Sequence, residues 1–338
     1  MKRGLVSFIL LLCLMPFIYA APPLRTVGLG DFFLTGGDIL EDCRIGYRTA
    51  GQANADSSNV ILYPTWFGGT SEHIWNLIRI HDFVDTTAYF VIMADALGNG
   101  VSSSPSNSAT QAGRDFPDIR IADMARCEYA LLQKLGIKKL HAVIGGSMGS
   151  MQGFEFIVRY PGMVEKAVLY VSTPRESAYD LLRGQTGLGI IELGRKYGIP
   201  EAEYMRPVRI ALALNGKSPD FFAGEMAPED VPAFLGGFDA YDPGIFPADN
   251  FYCQSRAIYH HDISREDGGD MDKTAQRIRT KMLIIVNKQD HLVSPKPALD
   301  LAKKTGAKTL ILDNNRGHLG ITHEIGKVRR AMARFLDS

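Results

Sequence analysis

The chain has 338 residues, and its 37 Lys and Arg balance its 37 Asp and Glu. With no net field to gather nucleic acid or anionic lipid, both are set aside as partners, and a small, neutral or modestly charged molecule is the expected ligand. The length suits one large α/β domain or two small ones.

Residues 1–20 differ from everything after them. Lys2 and Arg3 precede the apolar run Leu5 to Leu14, and Pro16 and the small pair Ala20 and Ala21 follow. This order reads as a secretory signal peptide cleaved near Ala20, because the apolar run is short for a stable membrane span. Cys13 follows leucines and not the small residues of a lipoprotein site. The expected mature domain is therefore 21–338, periplasmic or secreted, with no stable membrane span after cleavage. It keeps Cys43, Cys127 and Cys253 without a CxxC pair, which indicates neither a zinc site nor a disulfide framework. Cys127 shares a helical face with Met124, Leu131 and Leu135 and reads as core.

The runs from Thr26 to Thr49 read as an antiparallel entry to a sheet. From Asn59 onward, NVILYP, YFVIMAD, KLHAVIGG, VEKAVLYVS, KMLIIVN and KTLILD are short apolar runs bounded by polar or glycine-rich turns. Helical patterns separate several of them: Arg120 to Leu135, Met148 to Tyr160, and Pro297 to Lys304, with Ile321 to Leu336 closing the chain. The alternation predicts an α/β fold, a mostly parallel sheet flanked by helices on both faces. Between Thr173 and Thr280 no buried strand is legible, only helix-like patches such as Pro200 to Leu214. A structureless loop of that length is implausible, so 174–279 reads as an inserted helical lid. EDGGDMD, Glu266 to Asp272, lacks the spacing of a calcium loop, and GLGDFF at Gly28 lacks the third glycine of a dinucleotide fingerprint. No metal and no cofactor is called for.

HAVIGGSMGSMQGFEF, His141 to Phe156, carries the chemistry. Gly145-Gly146-Ser147-Met148-Gly149 matches G-x-S-x-G, with a strand before it and an amphipathic pattern after it. Such a serine sits at the apex of a strained strand-to-helix turn, and its neighbours must lack side chains. A serine hydroxyl needs a base, and the base needs an orienting carboxylate. Both are expected beyond later strands, in the order acid then histidine. KMLIIVNKQDHLVSP offers Asp290, and TLILDNNRGHLG offers His318. His291, His323 and Asp313 are poorer by position. His260, His261 and Asp262 are expected as lid surface or substrate wall. For an oxyanion, the backbone N–H of Met148 is one donor, and the loop TWFGGTSEH supplies the other, Trp66 by register with Thr65 next to it.

FPDIRIADMARCEYALLQKLGIKKLHAVIGGSMGSMQGFEF, from Phe116 to Phe156, resembles the homoserine O-acetyltransferase branch of the α/β-hydrolase superfamily. So do DTTAYFVIMADALGNGVSSSPS from Asp85 and ADNFYCQSRAIYHHDIS, which holds Phe251 and Arg256. The resemblance implies the α/β-hydrolase fold, an acyl-enzyme mechanism through Ser147, Asp290 and His318 in a tunnel beneath a helical lid, and pairing into a homodimer through that lid. In those transferases an acidic residue follows the histidine, and an arginine of the first lid helix helps to hold the amino acid. Here Leu319 follows His318, and Arg183 falls outside the register, which is nearer Leu188, so a more apolar pocket is expected. An exported enzyme would meet little acetyl-coenzyme A, whereas water is plentiful. The expected function is an exported serine hydrolase acting on a small-molecule acyl substrate, a carboxylic ester or related compound. The alternative is an O-acyltransferase of the homoserine O-acetyltransferase type, passing the acyl group to an alcohol. A non-catalytic binding protein is disfavoured by the intact Ser, Asp and His.

Overall fold

The computed structural model describes residues 21–244 and 246–338. The signal-peptide reading of residues 1–20 lies outside them. Strands β1 (Arg25–Phe33) and β2 (Ile39–Ala50) pair antiparallel, as the entry to the sheet. β3 (Val60–Pro64), β4 (Phe90–Ala94), β5 (Leu140–Gly146), β6 (Val164–Tyr170), β7 (Lys281–Asn287) and β8 (Lys308–Leu312) complete it. The eight strands run in the order β1-β2-β4-β3-β5-β6-β7-β8. β2 is antiparallel to β4, and each later pairing is parallel.

β3 is buried throughout, and β5 and β6 nearly so, which is why their sequences are near-continuous apolar runs. β8 departs from that expectation. As the edge strand it has one neighbour, and Ile311 is 42% exposed.

Helix α1 (Ser71–His81) follows β3 and packs Ile74 and Ile78 inward. It was not legible as a helix, because its two buried isoleucines are a short signal behind a glycine turn. α2 (Ile121–Lys134) and α3 (Met148–Arg159) follow the expected patterns and pack on each other. α3 is buried from Met148 to Val158, and Gly153 lets it lie close to the sheet: a Cβ there would come within 2.7 Å of the Leu169 side chain.

Between β6 and β7 run α4 (Ala178–Tyr197), α5 (Glu201–Gly216), α6 (Pro219–Glu225), α7 (Val231–Gly236), α8 (Ala248–Tyr259) and α9 (Met271–Arg277). Ser177 caps α4 through reciprocal bonds with Asp180, and Gly198 ends it at φ 65°. Ile191, Tyr204, Met205, Val208, Ala248 and Phe251 give these helices a small apolar core of their own. After β7 comes α10 (Lys296–Thr305), and after β8 come α11 (Gly320–His323) and α12 (Ile325–Leu336). The single closing helix expected from Ile321 to Leu336 is broken at Glu324, whose Oε1 accepts from Asn314 Nδ2 at 2.8 Å.

Candidate active site

β5 enters the turn at Gly146, and Ser147 sits at φ 53°, ψ −127° before α3 begins. A serine in the left-handed half of backbone space is strained and persists only where its surroundings enforce it. Here its N–H donates to Tyr170 O at 3.0 Å, and its carbonyl accepts from Ser172 Oγ at 2.8 Å. Val171, at φ 42°, is a second strained residue beside it, anchored by a 2.8 Å bond from its N–H to Ile285 O. The flanking glycines answer to close approach and not to unusual φ. A Cβ on Gly145 would lie 2.5 Å from the backbone of Gly149, one on Gly146 2.2 Å from the Tyr170 ring, and one on Gly149 2.5 Å from Pro64 O. Tyr170 cannot retreat, because its hydroxyl bonds that of buried Tyr63 at 2.5 Å.

His318 lies in the loop between β8 and α11, where Gly317 at φ 59° presses on the backbone of Lys217 and Ser218. His318 Nδ1 donates to Asp290 Oδ2 at 2.8 Å, and both residues are buried. Asp290 Oδ1 accepts from the amides of Leu292 and Val293, each at 2.9 Å. Asn287 ties the two loops together, donating to Gly317 O at 2.7 Å and Asn314 O at 3.0 Å. Ser147 and His318 line one cavity of about 800 Å³. No hydrogen bond joins Ser147 Oγ to His318 among the described residues, and the two share the lining of that cavity.

The poorer candidates stay apart from this cavity. Asp313 pairs with Lys288 at 2.8 Å on the surface, and His323 is exposed at the end of α11. His260, His261 and Asp262 are not a substrate wall: they line a separate cavity with Arg120, Glu155 and Arg159. Burial holds the two imidazoles well below their ordinary range, each at about 4.

Thr65 N–H is taken by Ala94 O at 3.0 Å, whereas among the described residues the amides of Trp66 and Met148 have no acceptor. That difference separates Trp66 from Thr65. Gln152, one turn into α3 and fully buried, donates from Nε2 to both Thr65 O at 2.9 Å and Met148 O at 3.0 Å. Gln254 of α8 accepts from Gly68 N–H at 2.8 Å and donates to Leu97 O at 2.9 Å. These two glutamines hold the segments that carry the free amides. Sequence reading missed them, since a glutamine in a helix carries no signal of what it bridges.

Ser147 also lines a second, smaller cavity of about 180 Å³ walled by α4, α5 and α8. The larger one is apolar, with Leu77, Val171, Phe222, Phe234 and Leu319 on its walls. The smaller one is mixed: Phe67, Met151, Leu188 and Phe251 share its wall with Glu176, Asp180, Arg183 and Asn215. Apolar residues thus wall both sides of the serine, and Arg183 faces the smaller side despite its register.

Residues 59–208 match the family described as alpha/beta hydrolase fold. A probable esterase of Corynebacterium glutamicum is 32% identical over 318 residues, spanning 88% of this chain and 90% of that protein. The chain belongs to the α/β-hydrolase superfamily. Its branch is the homoserine O-acetyltransferase-like one: a homoserine O-acetyltransferase of Zymomonas mobilis is 27% identical over 355 residues, 91% of this chain and 95% of that one. An ethyl acetate hydrolase of Pseudomonas veronii is 30% identical over 315 residues, with 88% and 90% covered. Among solved structures, an acetylester hydrolase from C. glutamicum superimposes on this α/β hydrolase with a TM-score of 0.84 at 29% identity, covering 94% of this chain and 96% of that one. This member of the superfamily is an enzyme, esterase-like or acyltransferase.

Proposed function

We propose that the protein is an exported serine hydrolase that cleaves carboxylic esters through an acyl-enzyme. The observation that carries the reading is the 2.8 Å bond from His318 to Asp290, with His318 and Ser147 on the walls of one cavity. His318 Nε2 takes the proton of Ser147 Oγ as that oxygen bonds the ester carbonyl carbon. The resulting oxyanion lies against the amides of Met148 and Trp66, at the start of α3, where the helix dipole adds to their pull. Collapse expels the alcohol, which receives its proton from His318. Water then gives a proton to His318 and attacks the acyl carbon, releasing the acid and restoring Ser147. Asp290 fixes the imidazole tautomer and steadies its charge.

Esterases among the relatives support hydrolysis. The second reading, acyl transfer to an alcohol, draws on the homoserine O-acetyltransferases. It is disfavoured by uncharged Leu319 and Leu188 at the two positions expected to hold an amino acid. Export draws on residues 1–20 alone. The test takes the 21–338 protein with ethyl acetate, with and without homoserine or a simple alcohol at millimolar concentration. Acetate formation should dominate, and fluorophosphonate labelling should vanish in Ser147→Ala. Acetylated acceptor in excess of acetate would move the assignment to the second reading. An unlabelled wild-type protein would end both.

A further inference from the structure

We infer that the smaller cavity is an acyl pocket for short hydroxy acids, in which a hydroxyl on the acyl chain donates to Glu176 and accepts from Arg183 Nε–H. The inference rests on the hydrolase reading above and adds a substrate class to it.

The two cavities are assigned to the two arms of an ester by the proton that must move. His318 has to protonate the departing alcohol, and His318 lines the larger cavity and not the smaller one. The alcohol arm therefore lies on the wide, apolar side. The acyl carbons point to the other side of Ser147, into about 180 Å³. That is well under the roughly 300–1,000 Å³ of a pocket for a drug-sized ligand, which suits a short acyl chain.

Two unmet polar groups on the wall of this mostly apolar chamber are what call for a hydroxyl. Glu176 is 8% exposed, and among the described residues its buried Oε1 has no hydrogen-bond partner. Among the same residues the buried Nε of Arg183 has no partner either. Among the described residues no ion pair joins the two side chains. Asp180, the other carboxylate on this wall, is already occupied by Ser177 N–H at 3.0 Å, Ser177 Oγ at 2.6 Å and Ser294 N–H at 2.9 Å. The unmet acceptor and unmet donor thus belong to Glu176 and Arg183. Burial, reinforced by the Asp180 charge, pushes the Glu176 carboxyl up to about 8, against the pull of Arg183.

A hydroxyl both gives and accepts a hydrogen bond, which complements the unmet acceptor of Glu176 and the unmet donor of Arg183 on this wall. An alkyl chain would leave both groups desolvated and unpaired, and a carboxylate would repel Glu176 whenever it ionises. A site built to bond a substrate hydroxyl discriminates strongly against the analogue that lacks it.

The experiment compares kcat/KM for ethyl 3-hydroxybutanoate and ethyl 3-methylbutanoate, which differ by hydroxyl against methyl, with ethyl acetate as the reference ester. The wild-type protein should prefer the hydroxy ester by about tenfold or more. In Glu176→Leu and in Arg183→Leu the ratio should fall to within about twofold of unity. Because the ratio is internal to each protein, partial loss of stability in one variant does not blur it, and the second variant stands if the first fails to fold. A wild-type ratio near one or below it, a ratio kept in both variants, or cleavage of ethyl acetate with neither longer ester, overturns the inference while leaving the hydrolase reading intact. Failure to cleave any of the three esters overturns the hydrolase reading itself.

Discussion

Asp290 divides its carboxylate between two jobs: Oδ2 takes the Nδ1 proton of His318 at 2.8 Å, and Oδ1 takes the amides of Leu292 and Val293, each at 2.9 Å. Two N–H groups aimed at Oδ1 mean that this position must be an acceptor. The arrangement therefore fixes the His318 tautomer as well as its position.

An asparagine at 290 would have to keep its oxygen toward Leu292 and Val293, turning its NH₂ toward His318. The imidazole would then accept at Nδ1 and carry its proton on Nε2, where it can no longer act as base for Ser147. Asp290→Asn is expected to lower kcat by about 10⁴ with little change in KM. Initial rates on ethyl acetate check this, and a loss below tenfold would remove Asp290 from the mechanism.

Gly149 of the elbow and Gly189 of the insertion are expected to separate sharply. Gly149→Ala drives a Cβ to 2.5 Å from Pro64 O, a backbone atom of the central sheet, and should cost about 3 kcal/mol or more. At Gly189, inside α4, an added Cβ would meet nothing within 4 Å, and the residue has no left-handed φ. Gly189→Ala should stabilise by about 0.5 to 1 kcal/mol through helix propensity. Urea denaturation reads both, and equal effects would contradict the close-approach account.

Gln152 is a positioning residue for the two free amides, bonding the carbonyls of Thr65 and Met148 from one NH₂ group. Gln152→Met keeps much of the volume and removes both bonds. We expect kcat to fall about tenfold, less than the loss of an oxyanion donor itself, with KM nearly unchanged. A rise in KM at constant kcat would point to a role in the substrate walls instead.

Glu128 of α2 is 1% exposed, with neither carboxylate oxygen bonded among the described residues, and burial pushes its pKa well above the ordinary carboxyl range. The folded protein keeps this group protonated, while the unfolded chain ionises it near 4.5. Above that pH the unfolded state binds fewer protons, so stability falls as pH rises, by about 1.4 kcal/mol per unit until the folded group itself titrates. Glu128→Met should therefore raise Tm little at pH 4 and progressively more toward pH 8. A gain independent of pH would mean that packing alone is responsible.

Much of the candidate site was legible because its signals are local or ordinal. A strand running into G-x-S-x-G and then a helix marks Ser147, and the chain order acid then histidine, each beyond a later strand, marks Asp290 and His318. Helix α1 was missed because two inward isoleucines are a weak periodicity, and the break at Glu324 because it depends on a side-chain bond to Asn314 in another loop.

By itself the sequence determined the α/β alternation, the parallel sheet and the strand-to-helix turn at Ser147, since these follow from the periods of strand and helix and from glycines at fixed offsets. Tertiary structure alone decided which amide stays free after β3, which glutamines hold it, and which polar side chains reach the two cavities that meet at Ser147. Those facts come from contacts across long separations, 87 residues from Gln152 to Thr65 and 186 from Gln254 to Gly68. No local pattern encodes a contact between segments that meet only once the sheet has brought them together.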